Sequence, residues 1–133
     1  LLRQLGEAVT GQTGVPVRVV MEGRCDLPSE VHVTLYRIAQ EALNNVVKHA
    51  DATQIRIDLL CATSPAGIDR QPRERVELKV CDDGRGFDPD SVSPDRLGLG
   101  IIRERAQAIG ATPQIESQPG CGTQLVVVWK EDE

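Results

Sequence analysis

Aromatic side chains are scarce in this sequence: Tyr36, Phe87 and Trp129 are the complete set among 133 residues. A platform on which successive nucleobases stack needs more rings than that, so single-stranded nucleic acid is not an expected partner. An excess of basic residues is also missing. Lys and Arg number 15 against 20 Asp and Glu, a net charge of -5, which is the wrong sign for a surface that neutralises a phosphodiester backbone. No apolar stretch approaches the length of a bilayer crossing, so no membrane contact by this chain is expected. The chain starts at Leu1 rather than Met, as expected of a piece of a longer protein. Leu1-Leu2-Arg3-Gln4 has no charged stretch followed by an apolar one, so no signal peptide is expected. Cys25, Cys61, Cys81 and Cys121 form no C-x-x-C pair and have no His at zinc spacing. They are expected to be scattered thiols in a reducing cytoplasm. With so few rings, the core must be built from Val, Leu, Ile and Ala.

What remains is an ordinary globular composition, 40% hydrophobic and 26% charged, at a length that suits one domain spanning 1–133. Residues 1–10 read as a helix that Gly11 closes, and Val15 to Met21 as a strand. Pro28-Ser29-Glu30 opens a long helix running to about His49. Its apolar residues Val31, Leu35, Ile38, Ala42 and Val46, with Ala39 and Leu43 beside them, recur in steps of three and four and define a buried stripe. Ile55, Ile57 and Leu59 alternate with polar residues, as do Val76, Leu78 and Val80, giving two strands with one wet face. Cys61 to Glu74, with Pro65, Gly67 and Pro72, reads as an extended hairpin loop. A helix from about Gly98 to Ile109, stopped by Gly110, precedes a short strand around Ile115. Gly120 and Gly122 form a turn, and Gln124 to Trp129 is the last strand. Half-buried strands imply helices on one side of the sheet only. The expected fold class is therefore α+β, a two-layer sandwich whose mixed, largely antiparallel sheet is covered on one face by about three helices.

Three polar patterns interrupt this scaffold. On the long helix, Glu41, Asn45, Lys48 and His49 fall within about 100° of arc beside the apolar stripe. A solvated helix face would carry the same residue types. The same arc would also suit a polyphosphate, because an amide oxygen is a hard ligand for Mg²⁺ and a Lys can meet phosphate as a point charge. The second pattern is Cys81-Asp82-Asp83-Gly84-Arg85-Gly86-Phe87 at the end of a strand. A D-G turn is common. Here, however, an ionised carboxylate, which only accepts hydrogen bonds, stands beside two glycines that can bare the backbone to a flat ligand. Such a carboxylate suits an exocyclic amino group such as that of adenine. The third pattern, Gly98-Leu99-Gly100, opens an amphipathic helix whose first N–H groups and dipole favour phosphate. It is not a P-loop, since no G-K-[ST] follows, and Arg103 stands where a dinucleotide fingerprint needs its third glycine.

Taken in order, these patterns resemble the Bergerat-type ATP-binding fold shared by histidine kinases, gyrase-type topoisomerases, Hsp90, MutL and anti-sigma serine kinases. Leu35 to Ala50 (LYRIAQEALNNVVKHA) resembles the N box, in the version of nitrate-sensor and DesK-like histidine kinases. Asp82 to Phe87 resembles the G1 box and Gly98 to Arg105 (GLGIIRER) the G2 box, while Gly120-Cys121-Gly122-Thr123 resembles the family's G-x-G-T. The resemblance covers nearly the whole chain. It implies that Asn45 binds a Mg²⁺ bridging the phosphates of ATP, and that Glu41 occupies the general-base position of the ATPase relatives. It further implies that Lys48 approaches the phosphates, His49 flanks the nucleotide and Asp82 reads adenine with Gly84 and Gly86 beside it. Gly98, Leu99, Gly100 and Ile101 would offer phosphate-contacting backbone, and Thr123 would lie under the adenine end.

The resemblance implies catalysis of phosphoryl transfer from ATP to a histidine on a separate helical domain, for relay to a response regulator. Two departures bear on this. The lid between Phe87 and Gly98 is short, Asp88 to Leu97, with Pro89 and Pro94 and no aromatic box. No phospho-acceptor is expected in the chain: His49 belongs to the N box, and His32 lacks the H-D or H-E context of an acceptor. The dimerisation and phospho-acceptor domain should lie elsewhere in a parent protein, and the isolated chain should not phosphorylate itself. A cytoplasmic location is expected for this domain, compatible with a parent anchored in the inner membrane. Two other readings stay open on the sequence: an anti-sigma-type serine kinase, and a degenerate nucleotide-binding or interaction module without turnover.

Overall fold

A computed structural model of the chain describes residues 1–24, 26–68, 71–86, 88 and 98–131, the side chains of residues 49 and 50 excepted. The elements in order are α1 (Leu2–Thr13), β1 (Val17–Glu22), α2 (Ser29–Asn45), a π-helical turn (Val46–Ala50), β2 (Ile55–Ser64), β3 (Arg73–Asp82), α3 (Leu99–Ala108), β4 (Thr112–Ser117) and β5 (Thr123–Lys130). The five strands form one sheet in the order β1-β2-β3-β5-β4. β1 and β2 are parallel, joined through α2, and the other three pairings are antiparallel. This is the mixed, largely antiparallel sheet expected from the alternating strands.

The alternation sorts the two faces of the sheet. Ile57 of β2, Val80 of β3 and Leu125 of β5 stand in register across the sheet, as do Leu59, Leu78 and Val127. All but the half-buried Leu59 are buried, against Val31, Leu35, Ile38, Ala39, Leu43 and Val46 of the α2 segment and Leu99, Ile102 and Ala106 of α3. Removing a side chain of this size from water contributes roughly 1.5–3 kcal/mol, so this one layer supplies most of the driving force. The opposite face carries an Arg56–Asp58 ion pair at 3.0 Å, with Glu77 and Lys79 alongside on β3.

Several boundaries differ from the sequence reading, each for a local reason. The first helix runs through Gly11 to Thr13 and ends on Gly14 in a left-handed conformation. A glycine inside an exposed helix costs only about 1 kcal/mol and does not stop it. The Thr10 and Thr13 hydroxyls donate back to the carbonyls of Gly6 and Val9. The supposed hairpin loop is shorter, because β2 extends through Ser64 and β3 begins at Arg73, with Ser64 paired to Arg73. A ladder can hold polar residues that no apolar alternation would reveal. The long helix also loses its α-helical phase at Asn45 and continues as the π-helical turn. Phe87 and the lid residues 89–97 lie outside the described residues, as does Cys25.

Candidate nucleotide-binding site

The strand ends bring the G1-like segment and the Gly120–Thr123 segment together. Asp82 is the last residue of β3 and pairs with Thr123, the first of β5. The half-buried Asp82 carboxylate accepts a hydrogen bond from the Gly84 N–H at 2.8 Å. Burial raises its pKa above the usual carboxylate value, and the charge of Asp83 adds to this; backbone donors at Gly84 and Thr123 pull the other way. The Thr123 hydroxyl lies 2.8 Å from that of Ser117, which in turn donates to the Gly122 carbonyl at 3.0 Å. Asp82, Ser117, Gly122 and Thr123 line a cleft of about 470 Å³ together with Cys81 and Cys121, and Asn45 and Lys48 stand outside it.

Two glycines of these patterns are required by protein packing. Gly86 has φ 61°, and a side chain there would meet the Gln118 and Gly122 carbonyl oxygens. Gly122 has φ 78°, and a Cβ would fall 2.1 Å from the Asp82 carbonyl oxygen. The G1 loop and the β4–β5 turn are thus interlocked backbone to backbone. This gives glycine at 86 a reason other than the approach of a ligand ring.

The helical half of the site is built on α2 and the start of α3. Glu41 and Asn45 are half-buried one turn apart on α2, and Lys48 is exposed on the π-helical turn. A π-helix bonds i to i+5 and turns the chain less per residue than an α-helix. Lys48 and His49 therefore do not keep the α-helical phase with Asn45 that the sequence reading assumed. The His49 side chain lies outside the described residues. Gly98 precedes α3 with φ 68°, and among the described residues no side chain caps that helix start. The Glu41 carboxylate sits against Gly98, where an added Cβ would lie 2.1 Å from Oε1. Leu99 is buried in the core and Ile101 is exposed. His32 is exposed near the start of α2.

Two contributors were not legible in the sequence. Ser117 is a buried polar residue that anchors Thr123; its only signal is an inward position two residues after Ile115. Asp83 accepts hydrogen bonds from the backbone N–H groups of Thr53 and Gln54 at 2.8 and 2.9 Å, and from the Thr53 hydroxyl. These donors hold its pKa below the usual carboxylate range, the Thr53 hydroxyl contributing most. Among the described residues, no group of three or more His, Cys, Asp and Glu could hold a metal ion, and no helix is long and apolar enough to cross a membrane. Cys61, Cys81 and Cys121 are free thiols.

Residues 30–133 match the family model described as histidine kinase-, DNA gyrase B- and HSP90-like ATPase. The sensor protein VraS of Staphylococcus saprophyticus is 33% identical over 131 residues, covering 94% of this chain and 35% of that protein. The chain thus spans about a third of the length of the sensor proteins it matches. Among solved structures, the ATP binding domain of PrrB from Mycobacterium tuberculosis superposes with a TM-score of 0.64 at 26% identity, covering 92% of this chain and 85% of that one. The histidine kinase domain of a blue-light activated kinase from Erythrobacter litoralis gives a TM-score of 0.71 over 96% of this chain and 58% of that one. At 24% identity this second likeness speaks to the fold.

Proposed function

The chain belongs to the histidine kinase-, DNA gyrase B- and HSP90-like ATPase family, and we propose that it is the ATP-binding catalytic domain of a two-component sensor histidine kinase. Its relatives support that reading over an anti-sigma-type serine kinase or a degenerate module. Within the kinases, the N box from Leu35 to Ala50 resembles most closely the version of the nitrate-sensor and DesK-like group. The observation that carries the proposal is the convergence of separate motifs: Asp82 meets Thr123 at the strand ends, and Glu41 of the N box meets Gly98 of the G2 box.

In this reading Asp82 accepts from the adenine amino group and Thr123, held by Ser117, lies under the ring. Gly84 and Gly86 stand beside the base and His49 flanks the nucleotide. The backbone from Gly98 through Leu99 and Gly100 to Ile101 faces the phosphates, where the start of α3 offers donors and a favourable dipole. Lys48 supplies a mobile positive charge. Asn45 fits as a Mg²⁺ ligand, because its neutral amide oxygen sits at a half-buried helix end one turn from a carboxylate. Bound there, Mg²⁺ would neutralise phosphate charge during transfer. Glu41 is placed to hold a water or accept a proton beside the α3 start. The γ-phosphoryl group would pass to a histidine on the parent's own dimerisation and phospho-acceptor domain, and from there to a response regulator. The domain would work in the cytoplasm, in a parent that is a membrane-anchored sensor.

The test is titration calorimetry with ADP, ATP and GDP in Mg²⁺, followed by incubation with γ-labelled ATP and a supplied acceptor domain. Adenine nucleotides should bind in preference to guanine, and acid-labile, base-stable label should appear on the acceptor alone. Label on His32 or His49 of this chain, or equal affinity for ADP and GDP, would overturn the reading.

A further inference from the structure

The Asp83 carboxylate is exposed, yet it accepts three hydrogen bonds from residues thirty positions earlier in the chain. Oδ1 takes the backbone N–H groups of Thr53 and Gln54, while Oδ2 takes the Thr53 hydroxyl. The Asp83 N–H returns a long bond to the Gln54 carbonyl at 3.4 Å. The β2–β3 ladder ends at the Ile55–Asp82 pair, so these bonds carry the pairing past the sheet, into the loop that follows the adenine-reading carboxylate.

The segment so gripped is the outlet of the N box. Residues 51–54 are all that separates the π-helical turn, with Lys48 and His49, from β2. Asp51 takes a left-handed conformation at φ 53° and ends that turn. A connector this short transmits the position of Thr53 directly to Lys48. Besides stabilising the folded chain, these three bonds tie the connector to the start of the G1 loop.

We propose that Asp83 is a positioning residue for the nucleotide: by latching the N-box outlet to the G1 loop, it sets where Lys48 stands relative to Asp82. The inference rests on the nucleotide reading above. Asp83 touches no ligand in it and acts through Thr53, Gln54 and the π-helical turn. The latch holds the phosphate end of the site at a fixed span from the base end.

The experiment compares Asp83→Ala with Asp83→Asn, two variants of the same charge. The asparagine amide oxygen can still accept from both N–H groups, and its amino group can donate to the Thr53 hydroxyl oxygen; alanine makes none of these bonds. The measured quantities are affinity for ATP in Mg²⁺ by calorimetry and affinity for adenosine, which has no phosphates, by NMR titration. Asp83→Ala should bind ATP roughly tenfold more weakly than Asp83→Asn, the size expected when a coupling contact remote from the ligand is cut. The two should bind adenosine alike. Thr53→Val, which loses only the hydroxyl donor, should fall between them, and it serves in place of Asp83→Ala should the alanine variant not fold. Equal weakening of ATP and adenosine, or equal ATP affinity in all variants, would overturn the positioning role and leave the nucleotide reading standing. An unsubstituted chain that binds neither ligand would remove the nucleotide reading and the positioning role with it.

Discussion

At the strand end of the site, Asp82, Ser117, Gly122 and Thr123 are joined by hydrogen bonds and by backbones in direct contact. At the helix end, Asn45 and Lys48 rise from the finish of α2 and an exposed π-helical turn. The strand end is held by contacts between separate segments, whereas the helix end rests on a helix terminus. The difference would suit the two halves of the proposed nucleotide. A flat base is recognised by a preformed slot, where misplacement by a fraction of an ångström costs a hydrogen bond. A polyphosphate with its metal is met mainly by charge, which tolerates a mobile lysine.

The sharpest way to break the contrast is to force open the strand end. Gly122→Ala places a Cβ against the Asp82 carbonyl in a left-handed conformation, and should cost roughly 2–4 kcal/mol of unfolding free energy. Gly120→Ala, also left-handed but with nothing among the described residues within 4 Å of its Cβ, should cost only about 1–2 kcal/mol. Chemical denaturation of both separates the interlock from simple backbone strain, and equal losses would refute the interlock.

The corresponding change at the helix end should leave the fold alone. Asn45→Ala removes the proposed metal ligand, and Mg²⁺ dehydrates too reluctantly to replace it easily. The expected result is loss of the Mg²⁺-dependent part of ATP affinity, about tenfold or more. Stability should stay level or rise by about 0.5 kcal/mol, because alanine is the better helix former. A variant that melts as before and keeps its full Mg²⁺ response would reduce this helix face to a solvated surface.

Asp82→Asn tests whether the strand end is tuned for the proposed binding at the expense of stability. Loss of the charge should weaken ADP by roughly 1–2 kcal/mol, about tenfold. The free chain should become more stable at neutral pH. Ionised Asp82 is disfavoured by burial, so its folded pKa lies above the unfolded one. The folded state therefore gains stability as pH falls through that raised pKa, and the gain is complete below the ordinary carboxylate value. Asp83 runs the opposite way, its depressed pKa giving stabilisation above the ordinary value that is lost as pH falls through the folded one. An NMR carboxyl titration should find these neighbours on opposite sides of the ordinary aspartate value. The smallest effect is expected from Ser117→Ala, which frees the Thr123 hydroxyl and leaves the Gly122 carbonyl short of a donor, costing about 1 kcal/mol. ADP affinity unchanged by that substitution would show that Thr123 needs no anchor.

The sequence by itself determined the layers. Period-two alternation at Ile55–Leu59 and Val76–Val80 and the stripe from Val31 to Val46 are statements about which atoms avoid water, and they hold whatever the neighbours are. It also carried the family resemblance, because the motifs stand in the family's order along the chain. Periodicity could not show where an element loses its phase: the π-helical turn after Asn45 follows an unbroken helical pattern, and Gly11 reads as a stop though the helix passes through it. Nor could local pattern show which distant groups satisfy one another. Ser117 reaching Thr123, Glu41 resting on Gly98 and Asp83 gripping Thr53 all join residues that no spacing rule connects. Only the folded chain decides such pairings, since a polar group takes whichever partner the packing of apolar surfaces brings within about 3 Å.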